Sequence, residues 1–215
     1  MLNDSLRLIL VESTINVFRV ALSSPYFLKS IVDIPHINIG SNLCFYAEEI
    51  GVYCCIDLSL NDIYVSPELV ALDYQNYPQA TIQELIVLSQ TLVRFAKKTS
   101  LWSRICSLSC HIKITPGEQE LLPQSCYFDN EILFWYSPKI NQYLRVDFVS
   151  YSLFLMDEPS DQRSAWKVPS EQHLQAVIEE IVSHYISIHK KTTMIAEYMN
   201  QYLQNKDLSQ KFSLS

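Results

Sequence analysis

The chain has 215 residues, a mass of 24.9 kDa, 48% hydrophobic and 18% charged residues, and a formal net charge of −7. Such a length suits one fair-sized domain or two small ones, and the apolar share excludes disorder over most of the chain. The acidic balance, with a pI near 5.2, argues against nucleic-acid binding, which ordinarily needs a basic face.

The glycine content excludes more. Gly40, Gly51 and Gly117 are the only three, and they lie far apart. No P-loop, dinucleotide fingerprint, kinase-type glycine loop or nucleophile elbow can be written from them, because each needs glycines at fixed offsets. No apolar run reaches the ~18 residues of a membrane-spanning helix. The opening Met-Leu-Asn-Asp is acidic, unlike the basic start of a signal peptide. The six cysteines (Cys44, Cys54, Cys55, Cys106, Cys110 and Cys126) include no CxxC pair and no Cys/His array that suits zinc. The expectation is free thiols in a reducing, cytoplasmic or otherwise intracellular compartment, with no metal and no cofactor.

In chain order, residues 4–23 read as a helix capped by Asn3 or Asp4, and Ser24-Pro25 breaks it before a short second helix at 26–32. Residues 42–48 and 52–60 read as strands turned near Glu49-Ile50-Gly51, and Asn61-Asp62 leads to a third strand at 63–66. Residues 67–80 read as a loop. Thr81-Ile82-Gln83-Glu84 is a capping box that opens a helix to about Lys98. Residues 104–114 alternate apolar and polar side chains and read as a strand with one wet face. Cys126 to Tyr136 reads as a hairpin turned at Asp129-Asn130, followed by one long strand over 142–156. After a loop at 157–169, Ser170 caps a last helix that runs towards Gln204. No internal repeat stands out residue by residue, although the order of elements hints at a duplicated helix-plus-meander.

The fold read from this is α+β: an antiparallel sheet of two meanders packed with an N-terminal helix, a central helix and a long C-terminal helix. Residues 1–205 form a single domain and 206–215 a polar, frayed tail.

Candidate chemistry is sparse. Cys110 and His111, on a strand, point to opposite faces and cannot act together. Glu48, Glu49, Asp57 and Asp62 lie on neighbouring strands and a turn, where a solvated edge is the commoner arrangement. Glu180 and His184 stand four apart on the last helix, with His189 five further on; His184 could serve as a ligand or pH switch.

The aromatics say more. The strands at 131–136 and 142–156 carry apolar side chains on both faces, and each one left in water forgoes about 1.5–3 kcal/mol. Trp135, Tyr143 and Tyr151 therefore mark a candidate partner surface. On the last helix Leu174, Ile181, Ile188 and Ile195 recur every seven residues, which matches the seam of a coiled coil. The chain thus reads as a non-catalytic protein-interaction module: a chaperone, adaptor or assembly subunit that binds a protein partner or a second copy of itself, with neither nucleic acid nor membrane insertion. The alternative is a small-molecule binder or unusual enzyme with an aromatic pocket between sheet and helices.

Overall fold

The computed structural model describes residues 2–39, 42–69, 77–114, 116–160 and 162–212. The side chains of Leu2, Ile114, Pro116, Glu118, Lys191, Thr192, Ile195, Ala196 and 198–212 lie outside that description. The fold is α+β, with two four-stranded antiparallel meanders and three long helices.

The apolar residues of the N-terminal helix α1 (Leu2–Leu22) recur at helical spacing, and Val11, Ile15, Phe18 and Ala21 are buried. A single turn, α2 (Phe27–Ser30), follows the break at Ser24-Pro25. The first sheet is then laid down in chain order: β1 (His36–Ile39), β2 (Asn42–Ala47), β3 (Val52–Asp57) and β4 (Asp62–Ser66). The strand β1 adds an edge that the sequence pattern does not announce. Leu43, Phe45, Ile56 and Ile63 point inward and pack with α1 and the helix that follows.

That helix, α3 (Ile82–Ile114), is 33 residues long and corrects the strand expected at 104–114. Trp102, Ile105, Cys106 and Ile112 face one core at helical spacing, so this segment fits both periods. Length decides: no glycine or proline interrupts the chain between Pro78 and Pro116, so nothing stops the helix. Its start is the expected capping box, with the Thr81 N–H donating to Glu84 Oε2 at 2.7 Å and the Glu84 N–H to Thr81 Oγ at 3.3 Å.

A short helix, α4 (Pro116–Gln119), leads to the second sheet: β5 (Tyr127–Asp129), β6 (Ile132–Ser137), β7 (Gln142–Asp147) and β8 (Ser152–Met156). The expected long strand over 142–156 is therefore a hairpin. Asp147 makes the turn, its Oδ1 accepting the N–H groups of Val149 and Ser150, both at 2.9 Å. Tyr151 completes it with φ of 52°, a conformation that Asn61 adopts in the first sheet with φ of 53°. The last helix, α5 (Glu171–Phe212), has 42 residues and runs past the end expected near Gln204; 213–215 lie outside the described residues.

The hint of duplication becomes a register. Strands β2, β3 and β4 begin at 42, 52 and 62, and β6, β7 and β8 at 132, 142 and 152. Asn42 pairs with Asp57 as Ile132 pairs with Asp147, and Tyr46 with Tyr53 as Tyr136 with Tyr143. Leu43, Tyr46, Ile50, Tyr53 and Asp57 recur unchanged ninety residues on as Leu133, Tyr136, Ile140, Tyr143 and Asp147. Asp57 holds its turn as Asp147 does, accepting from the N–H groups of Ser59 at 2.8 Å and Leu60 at 3.0 Å.

Two outcomes test this architecture. Ser107→Pro, at an exposed position inside α3, should cost about 3 kcal/mol or more in chemical denaturation; a tolerated proline would return the segment to a strand edge. Burial pushes the Asp147 carboxyl up, but the Ser150 N–H, the Arg145 guanidinium and the Val149 N–H together outweigh it and hold it below the usual range. A carboxylate depressed in the folded state contributes stability above its unfolded pKa, about 3.9, and loses it as pH falls through the folded value. Asp147→Asn should therefore flatten the loss of melting temperature below pH ~4.

Candidate functional site

The side chains expected to form a partner surface do not share one. Trp135 lies 2% exposed on the inner face of β6, in the core of the second half. Tyr143 is half-buried on the opposite face, its ring 5.0 Å from that of Tyr136. Tyr151 stands 46% exposed in the β7–β8 turn, edge-on to Tyr26 at 6.2 Å. On α5, Leu174 and Ile181 are fully enclosed and Ile188 is buried, all taken up by the chain's own packing. The side chain of Ile195 lies outside the described residues.

The second apolar face of this sheet finds much of its cover within the chain. The segment after β8 pairs Lys167 with Leu155 and brings Trp166 over the outer face. The Trp166 ring lies 5.0 Å from that of Phe154 and 4.4 Å from the Arg145 guanidinium. Tyr127 stacks on Phe134 at 5.1 Å.

The other sequence candidates are placed singly. His111 lies on α3, its Nε2 2.7 Å from the Tyr185 hydroxyl on α5. Burial pushes the thiols of Cys54 and Cys106 up to about 12, which keeps them protonated and poor nucleophiles. Cys55 is also raised, by its hydrogen bond with Cys44 and by burial. Asp57 holds its own turn, Asp62 pairs with Arg7 at 2.8 Å, and Glu49 pairs with Arg94. Among the described residues no cluster of three or more His, Cys, Asp or Glu side chains is placed to hold a metal.

The duplication exposes a site that no single motif announced. Each sheet and the helix after it enclose a cleft at the same place, beside the turn between the second and third strands. The first cleft, about 490 Å³, has Tyr46, Glu48 and Glu49 on the sheet side and Thr91, Arg94, Phe95 and Lys98 on α3. The second, about 400 Å³, has Tyr136, Pro138 and Lys139 at the matching sheet positions and Glu180, Ser183, His184 and Ser187 at the matching positions of α5. An aromatic pair lies at the matching place behind each, with Phe95 in the lining of the first and both rings in that of the second. Phe45 and Phe95 meet edge-on at 5.5 Å; Trp135 and His184 replace them, edge-on at 5.8 Å.

The walls differ in chemistry. In the first cleft Arg94 pairs with Glu49 and donates to Thr91 at 3.2 Å, Thr91 donates to Glu49 at 3.3 Å, and Lys98 pairs with Asp33 at 3.2 Å. The two helix-borne cations there each meet a carboxylate. In the second the polarity of the pair is reversed: Lys139 Nζ lies 2.6 Å from Glu179 Oε2, and its N–H donates to Glu180 Oε1 at 3.1 Å. Trp135 Nε1 and Glu180 Oε2 are buried and find no protein partner among the described residues. A buried donor or acceptor left unmet costs about 1–3 kcal/mol, so a donor–acceptor pair stands ready in this wall.

No known family model, curated protein or solved structure matches the chain.

Leu174→Ala should lower stability by about 2–5 kcal/mol in denaturant titration and leave the sedimentation coefficient unchanged, as for an enclosed leucine. Loss of assembly at unchanged stability would instead place α5 in an interface.

Proposed function

We propose that the chain is a non-catalytic binding module and that the cleft between β6 and α5 is its ligand site. One contrast carries the reading. Of the two clefts at repeated positions, only the second has a buried indole N–H and a buried carboxylate oxygen that meet no protein partner among the described residues. The positions that differ between the halves line a cavity of ligand size. Binding is favoured over catalysis because the buried thiols of Cys54 and Cys106 sit at about 12 and the glycine loops of the common nucleotide and hydrolase sites are absent. This keeps the interaction module expected from the sequence and moves its contact from the outer sheet face into the cleft.

A fragment screen by ¹H–¹⁵N NMR, with neutral, anionic and cationic compounds, tests the site. Hits should shift the Trp135 indole signal, identified by its loss in Trp135→Phe. They should disappear in Ser183→Arg, which places in this cleft the side chain that its twin carries at Arg94. Hits that cluster elsewhere, or survive Ser183→Arg unchanged, would remove the cleft as the site.

A further inference from the structure

Resting on that reading, we infer that the cleft takes an organic cation, a guanidinium or ammonium group, on a molecule that also offers a carbonyl acceptor to Trp135. A basic side chain of a protein partner and a free amine share this chemistry.

The first cleft supplies the template. It carries its cations built in: Arg94 and Lys98 on α3, each paired with a carboxylate across the cleft. At the matching positions of α5 the second cleft has Ser183 and Ser187, so the helix-borne cations are gone. The same helix has gained carboxylates instead, Glu179 and Glu180, the latter in the place of Thr91. Lys139 is the one lysine or arginine among the described lining residues, and Glu179 holds it at 2.6 Å; the His184 imidazole lies beside it in the lining, edge-on to Trp135 at 5.8 Å. Glu179 also accepts from Gln175 at 3.2 Å. Glu180 receives only the Lys139 backbone N–H on Oε1, and its buried Oε2 meets no protein donor among the described residues. What the first cleft owns, the second lacks a partner for.

Other ligand classes fit this wall poorly. An anion would meet two carboxylates beside a lysine already committed. A purely apolar guest would leave both the Trp135 N–H and Glu180 Oε2 unmet, the costliest outcome for buried polar groups. A cation answers Glu180 with a charge-assisted hydrogen bond beside the Trp135 indole. A carbonyl on the same molecule answers the indole N–H, which can only donate. The volume, about 400 Å³, admits a group the size of one amino-acid residue with its flanking amides.

The test is an NMR titration of the full ¹⁵N-labelled chain with four probes: N-acetyl-arginine methylamide, agmatine, N-acetyl-norleucine methylamide and N-acetyl-glutamate methylamide. The arginine probe should shift the Trp135 indole and bind at least about 10-fold more tightly than the norleucine and glutamate probes, as expected for a charge-assisted contact. Glu180→Gln and Glu180→Thr, the second restoring the residue of the first cleft, should each weaken it by about 10-fold with spectral dispersion intact. Agmatine matching the arginine probe would support the cation with a free amine as its source; weaker agmatine would support it with a peptide-borne source. Norleucine or glutamate binding equally well, or indifference to both Glu180 variants, would overturn the cation and leave the cleft as a site. Silence of the Trp135 indole towards all four probes and the wider screen would overturn the cleft along with it.

Discussion

The structure depends on one helix that serves two cores. At 1.5 Å per residue, α3 is about 50 Å long. Its N-terminal half buries Leu85, Leu88 and Leu92 against the first sheet, and its C-terminal half buries Trp102, Ile105, Cys106 and Ile112 against the second. The helix that follows the second sheet repeats the first of these stripes: Leu174, Val177 and Ile181 on α5 are as completely enclosed as Leu85, Leu88 and Leu92. The helix that precedes the first sheet foreshadows the other, Val11, Ile15 and Ala21 on α1 matching Trp102, Cys106 and Ile112. The duplicated units therefore overlap: each meander has a helix before it and a helix after it, and α3 is both. A rod of this kind couples the two cores, because anything that breaks it removes a wall from each. The buried hydrogen bond between Ser30 and Thr99 at 2.8 Å, and that from Trp102 Nε1 to the Tyr151 carbonyl at 3.2 Å, brace the rod near its middle.

On this common frame the halves diverge in side-chain chemistry and agree in backbone. The left-handed turn positions coincide, Gly51 with Asn141 and Asn61 with Tyr151. An L residue as large as tyrosine costs about 1–2 kcal/mol in that conformation. The Tyr151 ring is held by Tyr26 and by the Lys29 ammonium 5.5 Å from its centroid. On the outer faces, Cys44, Cys55 and Tyr64 of the first sheet give way to Phe134, Arg145 and Phe154 of the second, where Trp166 adds cover. The clefts follow the same rule: the aromatic contact survives as a geometry while its members change, and the charge pair survives with its sign reversed. Structural demand keeps the positions; the free choice of residue falls where the cavity lies.

Much of this was legible in the chain, and the parts that were not have definite reasons. The break after α1 at Ser24-Pro25 and the capping box at the start of α3 are legible, as are the turns near Gly51 and Asn130 from residues that tolerate positive φ; α1 itself begins at Leu2, ahead of the cap expected at Asn3 or Asp4. The segment 104–114 misled because its apolar residues satisfy a period of two as well as 3.6, and only the buried stripe of α3 shows which period is used. The hairpin within 142–156 is hard to read because Phe148, Val149 and Tyr151 are strand formers and Ser150 is the lone turn residue among them; Asp147 caps the turn by hydrogen bonding, and Tyr151 takes the left-handed position that a glycine or asparagine ordinarily announces. Trp135, expected on a partner surface, lies in the core instead. Whether an apolar side chain faces a partner or the chain's own helix depends on what packs above it. The cleft itself had a signal in two spacings: Tyr46 and Tyr136, Tyr53 and Tyr143, Asp57 and Asp147 stand ninety residues apart, while Leu85, Leu88 and Leu92 stand eighty-nine from Leu174, Val177 and Ile181, and the helix spacing sets Thr91, Arg94 and Lys98 beside Glu180, Ser183 and Ser187.

The amino-acid order by itself determined the local menu: which stretches cap and coil, which alternate, where the chain turns, and that no glycine-built phosphate site can form. These follow from interactions within a few residues, and such interactions are written in adjacent positions. Tertiary structure alone decided that α3 runs unbroken through two cores, that the outer face of the second sheet is sheltered by Trp166, and that Trp135, Glu180 and His184 line one cavity. Each of those outcomes turns on groups far apart in sequence competing for the same buried space, and burial is settled only when the whole chain has packed.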